Sequence, residues 1–326
     1  MAEARASLRA RLLPRVLLGA LGAAFAVLAA ELVLRAVQPD FLLRVALEAP
    51  HPPWEALHPK LGLFALDDEL AFVPVLGGPE YDRYGIRNNP YSIDKRPGVE
   101  RVVFLGDSAT KRGKIVAALR AEFGDERREY WNAGVESYNT WQELGYFRRY
   151  ASQCRPDHVV LVFHLGDYEV QPLCWIDRSG WAISVHPSRP PGHYQPWLMK
   201  HAWLYRAWLA WRWRDDSEPI VRDYIRGALA GLRDTCARDH VKLSVLVLPI
   251  VYEEALWPPL VFARRDAALA QLEELGIRAF DLSVPLRAAV EAGVRPLQDP
   301  PGDPLHPSPE VAAYFRRYLR EQRLFE

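Results

Sequence analysis

Positions 102–105, Val-Val-Phe-Leu, are apolar without a break between Arg101 and a Gly-Asp-Ser turn at 106–108. Four consecutive apolar residues, mostly β-branched or aromatic, predict a strand covered on both faces, as in the middle of a parallel sheet. Similar runs stand at 159–163 and 243–248, with shorter ones at 130–132 and 277–282. Between them the apolar positions return at helical spacing over 114–123, about 140–150, 220–238 and 260–275, and again over 309–319. In the 220–238 stretch Val221, Ile225, Leu229, Leu232 and Cys236 fall on one helical face. Five strands alternating with helices predict an α/β fold, a parallel sheet with helices on both sides.

Three stretches depart from this alternation. Arg5, Arg9, Arg11 and Arg15 precede an uncharged run at 16–30, and the apolar pattern continues through Leu32, Val33 and Leu34. This is close to the ~20 residues that cross a bilayer. Glu31 interrupts it near its end, with Arg35 four residues later on the same helical face. Because the pattern passes the small residues Ala29 and Ala30, where a signal peptide would be cut, 1–37 reads as an uncleaved transmembrane signal anchor. A cleaved signal peptide and a buried amphipathic helix are the other readings. Anchor or signal, the arginine-rich end stays in the cytoplasm and the rest is exported. Residues 38–100, rich in proline and aromatics, predict an irregular linker and edge segment that carries no chemistry. Residues 101–326 form the main domain, interrupted at 168–218 by a segment holding seven of the chain's 11 tryptophans. There Leu204, Trp208 and Trp211 share a helical face interspersed with Arg206, Arg212 and Arg214. Such a helix either packs over the sheet or lies in a membrane interface.

Composition narrows the function. With 49% hydrophobic residues a sizeable core is available, and Lys+Arg and Asp+Glu both total 41, so no net basic field exists to gather nucleic acid, which is not expected as a partner. Cys154, Cys174 and Cys236 form no CxxC and no His/Cys cluster has zinc spacing, so neither metal nor cofactor is expected.

Ligands of open parallel sheets bind beyond the carboxyl ends of the strands. Three predicted strand ends carry polar chemistry there: Gly106-Asp107-Ser108, Asn132-Ala133-Gly134 and His164-Leu165-Gly166-Asp167. Near the end of the chain, Asp303 and His306 sit three apart in a proline-held turn before a helix opened by Ser308, Pro309 and Glu310. Each motif alone also reads as a helix cap. Together they offer a nucleophile, Ser108; a base, His306; and Asp303 to fix the imidazole tautomer.

The stretches RVVFLGDSAT, WNAGVESYNTWQE, VVLVFHLGDYEV and DPLHPSPE resemble, in order, the sequence blocks of the SGNH/GDSL hydrolases, over about 85–170 and 300–320. The basic anchor resembles that of membrane-tethered members in bacterial envelopes. The resemblance implies a flavodoxin-like three-layer sandwich with a five-stranded parallel sheet of order 2-1-3-4-5. It also implies Ser108 as nucleophile, His306 as base, Asp303 as its partner, and an oxyanion held by the amides of Ser108 and Gly134 and a third donor. That donor is usually an asparagine, and here Gly166-Asp167 stands in its place. An Asp167 kept neutral by burial can donate, and His164 is the other candidate; losing one such donor costs about 100-fold to 1,000-fold in rate. The expected protein is a serine esterase acting on an acylated glycan or lipid, anchored in a bacterial cell membrane by a single pass with its catalytic domain outside the cytoplasm. An O-acyltransferase modifying an envelope polysaccharide and a catalytically weak glycan- or lipid-binding envelope protein are the rival expectations.

Overall fold

The computed structural model describes residues 2–37, 46–49, 64–67, 69–168, 173–176, 182–185, 195–212, 218–295, 303 and 305–326. In chain order its regular elements begin with α1 (Ala2–Val37), β1 (Ala46–Ala49), β2 (Phe64–Asp67), β3 (Ala71–Pro74), β4 (Glu100–Gly106), α2 (Ser108–Lys111) and α3 (Lys114–Phe123). They continue with β5 (Arg128–Asn132), α4 (Thr140–Arg149), β6 (His158–His164), β7 (Leu173–Ile176), β8 (Ala182–Val185), α5 (Pro196–His201) and α6 (Trp203–Arg212). The last are α7 (Glu218–Arg238), β9 (Lys242–Leu248), α8 (Pro259–Glu274), β10 (Arg278–Asp281), α9 (Ser283–Glu291) and α10 (Pro309–Glu321).

The chain divides into two compact units, one of residues 1–53 and 172–215 and the other of 54–171 and 216–326. In the larger unit five strands pair in parallel in the spatial order β10-β9-β6-β4-β5. Numbered within the sheet this is the order 2-1-3-4-5 that the resemblance implied. Val103 lies opposite Trp131 on one side and Val159 on the other, and residues 102–105 are fully buried. The chain first steps from β4 to β5 and then returns past β4 to β6, β9 and β10. Right-handed crossovers therefore put α3 on one face and α4, α7 and α8 on the other. Packing agrees, since α10 lies against α3 and α9 while α4 lies against α7. The step reverses between β4 and β6, and the carboxyl ends of these two strands border the crevice where such sheets bind ligands.

The opposite end of the sheet is closed by a buried charge. The Arg101 guanidinium donates to Glu129 Oε2 at 2.8 Å and to the Cys154, Ile93 and Ser92 carbonyls, and stacks over Trp131 at 4.2 Å. A buried guanidinium is tolerable only when satisfied in this way.

In the edge segment β2 and β3 form an antiparallel hairpin, Gln142 Nε2 donates to the Leu70 carbonyl at 2.7 Å, and Tyr81 and Ile86 are buried. Helix α9 was not expected; it starts two residues after β10, where the Ser283 amide donates to Asp281 Oδ1 at 2.9 Å.

The smaller unit contains α1, the antiparallel sheet β1-β8-β7, α5 and α6. Segment 172–215 thus groups with the N-terminal helix, not with the sheet it interrupts in sequence. Residues Pro14–Val37 of α1 are long and apolar enough to cross a membrane.

Candidate active site

Strand β4 ends on Gly106, whose φ of 147° suits glycine. A Cβ there would meet Thr110 Oγ1 at 2.1 Å and the Val162 carbonyl at 3.0 Å, so the turn into α2 can be this tight only without a side chain. Asp107 caps α2, accepting from the Ala109 amide at 2.8 Å. Capping is thus done by Asp107, and Ser108 opens the helix with its hydroxyl directed elsewhere.

That hydroxyl lies 2.8 Å from His306 Nε2, and His306 Nδ1 lies 2.6 Å from Asp303 Oδ2. With Nδ1–H donating to the carboxylate, Nε2 is the acceptor for Ser108 Oγ–H. Ser308 caps α10 by accepting from the Val311 amide at 3.2 Å, which frees Asp303 and His306 from that task. Asp303 Oδ1 accepts from the Leu305 amide at 2.9 Å, and Oδ2 accepts a second bond, at 3.0 Å, from Arg112 Nη1. Burial by itself would raise the Asp303 pKa; the Leu305 amide, His306 and Arg112 outweigh it and hold the carboxyl below its ordinary value. The chain Ser108–His306–Asp303 can draw a proton from a hydroxyl and steady the resulting imidazolium.

On the side expected to hold an oxyanion, Gly134 is placed differently. Its amide donates to Asn132 Oδ1 at 3.0 Å and its carbonyl accepts from the Tyr81 hydroxyl at 2.9 Å. A Cβ at Gly134 would stand 2.4 Å from the Lys111 amide and 2.7 Å from Thr110 Cβ, so the glycine serves the close approach of the β5–α4 loop to α2. In the same loop Ser137, exposed, holds a φ of 63°. A non-glycine residue in that region is strained, and such strain gathers at functional sites.

Asp167, in the 3-10 turn after β6, is buried, and its Oδ2 accepts from the amide of Thr140 at 3.1 Å and from the Thr140 hydroxyl. Burial, reinforced by Asp107, pushes its pKa well above the ordinary carboxylate value, against the pull of the Thr140 bonds. Its carboxyl thus sits at the first turn of α4. Glu143, on α4 one turn further along, is buried with neither carboxyl oxygen hydrogen-bonded among the described residues, and burial, then Asp167 and Asp107, raise its pKa strongly. His164 is buried and accepts at Nδ1 from the Gly166 amide at 3.1 Å.

Sequence reasoning singled out Ser108, Asp303 and His306, and the structure brings the three together. It missed Arg112, Tyr81, Ser137 and Glu143. Arg112, four residues after Ser108, reads as a surface charge, and Tyr81 sits in a segment whose prolines and glycines signal only irregularity.

No protein-family model and no curated protein sequence matches the chain. Among solved structures, it is similar to an acetylxylan esterase from Geobacillus stearothermophilus, at 14% identity over 71% of this chain and 98% of that one, with a TM-score of 0.45. It is also similar to a GDSL-like lipase from Bacteroides thetaiotaomicron, at 15% identity over 68% of this chain and 87% of that one, with a TM-score of 0.41.

Proposed function

We propose that the chain is a membrane-anchored, exported serine esterase of SGNH type. The observation that carries this reading is the hydrogen-bonded relay, Ser108 Oγ to His306 Nε2 at 2.8 Å and His306 Nδ1 to Asp303 Oδ2 at 2.6 Å. Ser108 attacks the ester carbonyl as its proton passes to His306, and the collapsing tetrahedral intermediate takes that proton onto the leaving alcohol. Water, deprotonated by His306, then releases the acyl group from Ser108.

The oxyanion is assigned to the Ser108 amide at the first turn of α2 and to the loop that carries Ser137, because the Gly134 amide is already donated to Asn132. Asp167, whose pKa burial pushes up, holds the start of α4 through Thr140. The helix Pro14–Val37 serves as the anchor, with the arginine-rich terminus on the cytoplasmic side.

The test is labelling of the full chain in detergent by a fluorophosphonate, with p-nitrophenyl acetate turnover on the same samples. The wild type should label and turn over, and Ser108→Ala should do neither. A folded wild type that does neither overturns the esterase reading in favour of a binding protein on the same scaffold. Partition of the acyl group between water and an added sugar separates hydrolysis from transfer.

A further inference from the structure

The tryptophan-rich helix is tied to the membrane anchor at one turn. Glu31 of α1 accepts from the Trp203 amide at 3.0 Å and from the Leu204 amide at 2.8 Å, so an acidic residue of the apolar helix caps the N-terminus of α6. Arg35 donates to Glu31 at 2.7 Å and also to the His201 carbonyl, which closes the end of α5. Along α1 only Ala29, Ala30, Glu31 and Leu34 are partly covered among the residues with described side chains. The carboxylate in the apolar run is therefore a joint between two helices.

The depth of that joint follows from helix geometry. Glu31 lies 17 residues beyond Pro14, the start of the apolar span Pro14–Val37, or about 26 Å at 1.5 Å per residue. A bilayer's hydrocarbon core is about 30 Å thick, so α6 starts where the anchor emerges. Helix α6, of 10 residues and about 15 Å, cannot carry its side chains far from that level.

Its two faces differ. Trp203, Arg206 and Leu209 are buried, with the Arg206 guanidinium 4.6 Å from the Trp203 ring centre. On the opposite face Trp208 is 44% and Trp211 59% exposed, and Trp197 of α5 is 68% exposed. Tyr205 stacks on Trp208 with ring centres 5.5 Å apart, and its hydroxyl accepts from the Gln195 amide at 2.8 Å, which joins α5 to α6. Large exposed indoles are costly in water and favoured at the headgroup level, where an apolar ring with one N–H is best solvated.

We propose that α5 and α6 form an interfacial foot: Trp197, Trp208 and Trp211 seat in the headgroup region of the bilayer that α1 crosses, and the Glu31 joint sets their level. This rests on the reading of α1 as a membrane anchor. The occupant is the lipid surface itself, because α6 is held at its first turn by Glu31 of a helix whose side chains from Val16 to Val37 are largely exposed and apolar, long enough to cross a bilayer.

The experiment reconstitutes the full chain into phosphatidylcholine vesicles with and without bromine at acyl carbons 6 and 7, and follows tryptophan fluorescence. No tryptophan lies in residues 1–37, so the anchor itself is silent. Wild type should be quenched by the brominated lipid. Trp208→Ser/Trp211→Ser should lose at least half of that quenching while its far-UV circular dichroism and its flotation with vesicles stay unchanged. Glu31→Ala should float and lose quenching, and Glu31→Gln, which still accepts from an amide, should retain most of it. Equal quenching in wild type and the double variant, or none in either, overturns the foot and leaves the anchor standing. A wild type that does not float overturns the anchor and the foot with it. Fluorophosphonate labelling of Ser108 is independent of all these outcomes.

Discussion

Arg112 and His306 donate to the same oxygen, Asp303 Oδ2, at 3.0 and 2.6 Å. The carboxylate's charge is thus shared between a permanent cation and an imidazole that becomes a cation only during proton transfer. Sharing weakens what Asp303 offers the imidazolium, and it also keeps Asp303 ionised. Removing the guanidinium leaves Asp303 Oδ2 to His306 alone, so kcat/KM for p-nitrophenyl acetate at pH 7.5 should rise in Arg112→Gln, by at most ~5-fold because the Arg112 side chain is 42% exposed and screened by solvent. Arg112→Lys should fall between the two, and an unchanged kcat/KM in Arg112→Gln would show that the contact is structural only. Ser108, Asp303 and His306 were legible because each stands in a short motif whose glycine or prolines announce a turn. Arg112 was not, since nothing in an exposed arginine tells which carboxylate, 191 residues away, it will meet.

At the level of elements, the alternation of apolar runs with helical spacing was readable, and so was the strand order once the four blocks were placed. Helix α9 escaped because it follows β10 after Leu282 alone and opens on Ser283, Val284 and Pro285, which display no helical period at its start. The hairpin β2–β3 escaped for a related reason: four-residue strands among prolines carry too few positions to display a period. The start of α4, which the spacing placed at about 140, contains an energetic conflict that spacing does not reveal. Glu143 is buried with neither carboxyl oxygen hydrogen-bonded among the described residues, near Asp167 and Asp107, and its pKa is raised strongly. A carboxyl held protonated in the folded state binds a proton that the unfolded chain releases above pH ~4.3. Stability is therefore lost as pH rises from that point until it passes the folded-state pKa. Glu143→Gln removes this loss while keeping the shape. The variant is expected to melt higher than wild type at pH 8, with the gain shrinking towards pH 4.5, as read by thermal unfolding followed by circular dichroism. The loop below α2 is constrained more sharply. Gly134→Ala would press a methyl against the Lys111 amide and Thr110, and displacement of α2 should lower turnover by at least ~10-fold through misplacement of Ser108.

The whole chain passes through its two units alternately, leaving the larger one at 171 and returning at 216. That organisation could not be read from local pattern, because the pairing of β1 with β8 joins Ala46 to Val185 across 139 residues. What integrates the larger unit is its buried sheet, and a titrating group inside that sheet makes the stability of the whole unit depend on pH. His158, on the central strand β6, is buried, bonded through Nε2 to Ser244 Oγ at 2.9 Å, and edged by the Phe325 ring at 5.8 Å. Burial, followed by Lys242, Arg278 and Arg128, lowers its pKa to about 4. In the unfolded chain the same side chain titrates near pH ~6.5. Above that pH both states are neutral and the contribution is fully present; as pH falls, the unfolded chain takes up the proton first and stability declines until the folded pKa is reached. Between pH 7.5 and 5 this amounts to about 2 kcal/mol, opposite in sign to the Glu143 contribution. Urea unfolding of the full chain in detergent at the two pH values should show this decline in wild type and not in His158→Gln, whose side chain can still bond Ser244 without gaining a charge. If both proteins lose the same stability between pH 7.5 and 5, the acid sensitivity of the fold in that window does not come from the buried His158.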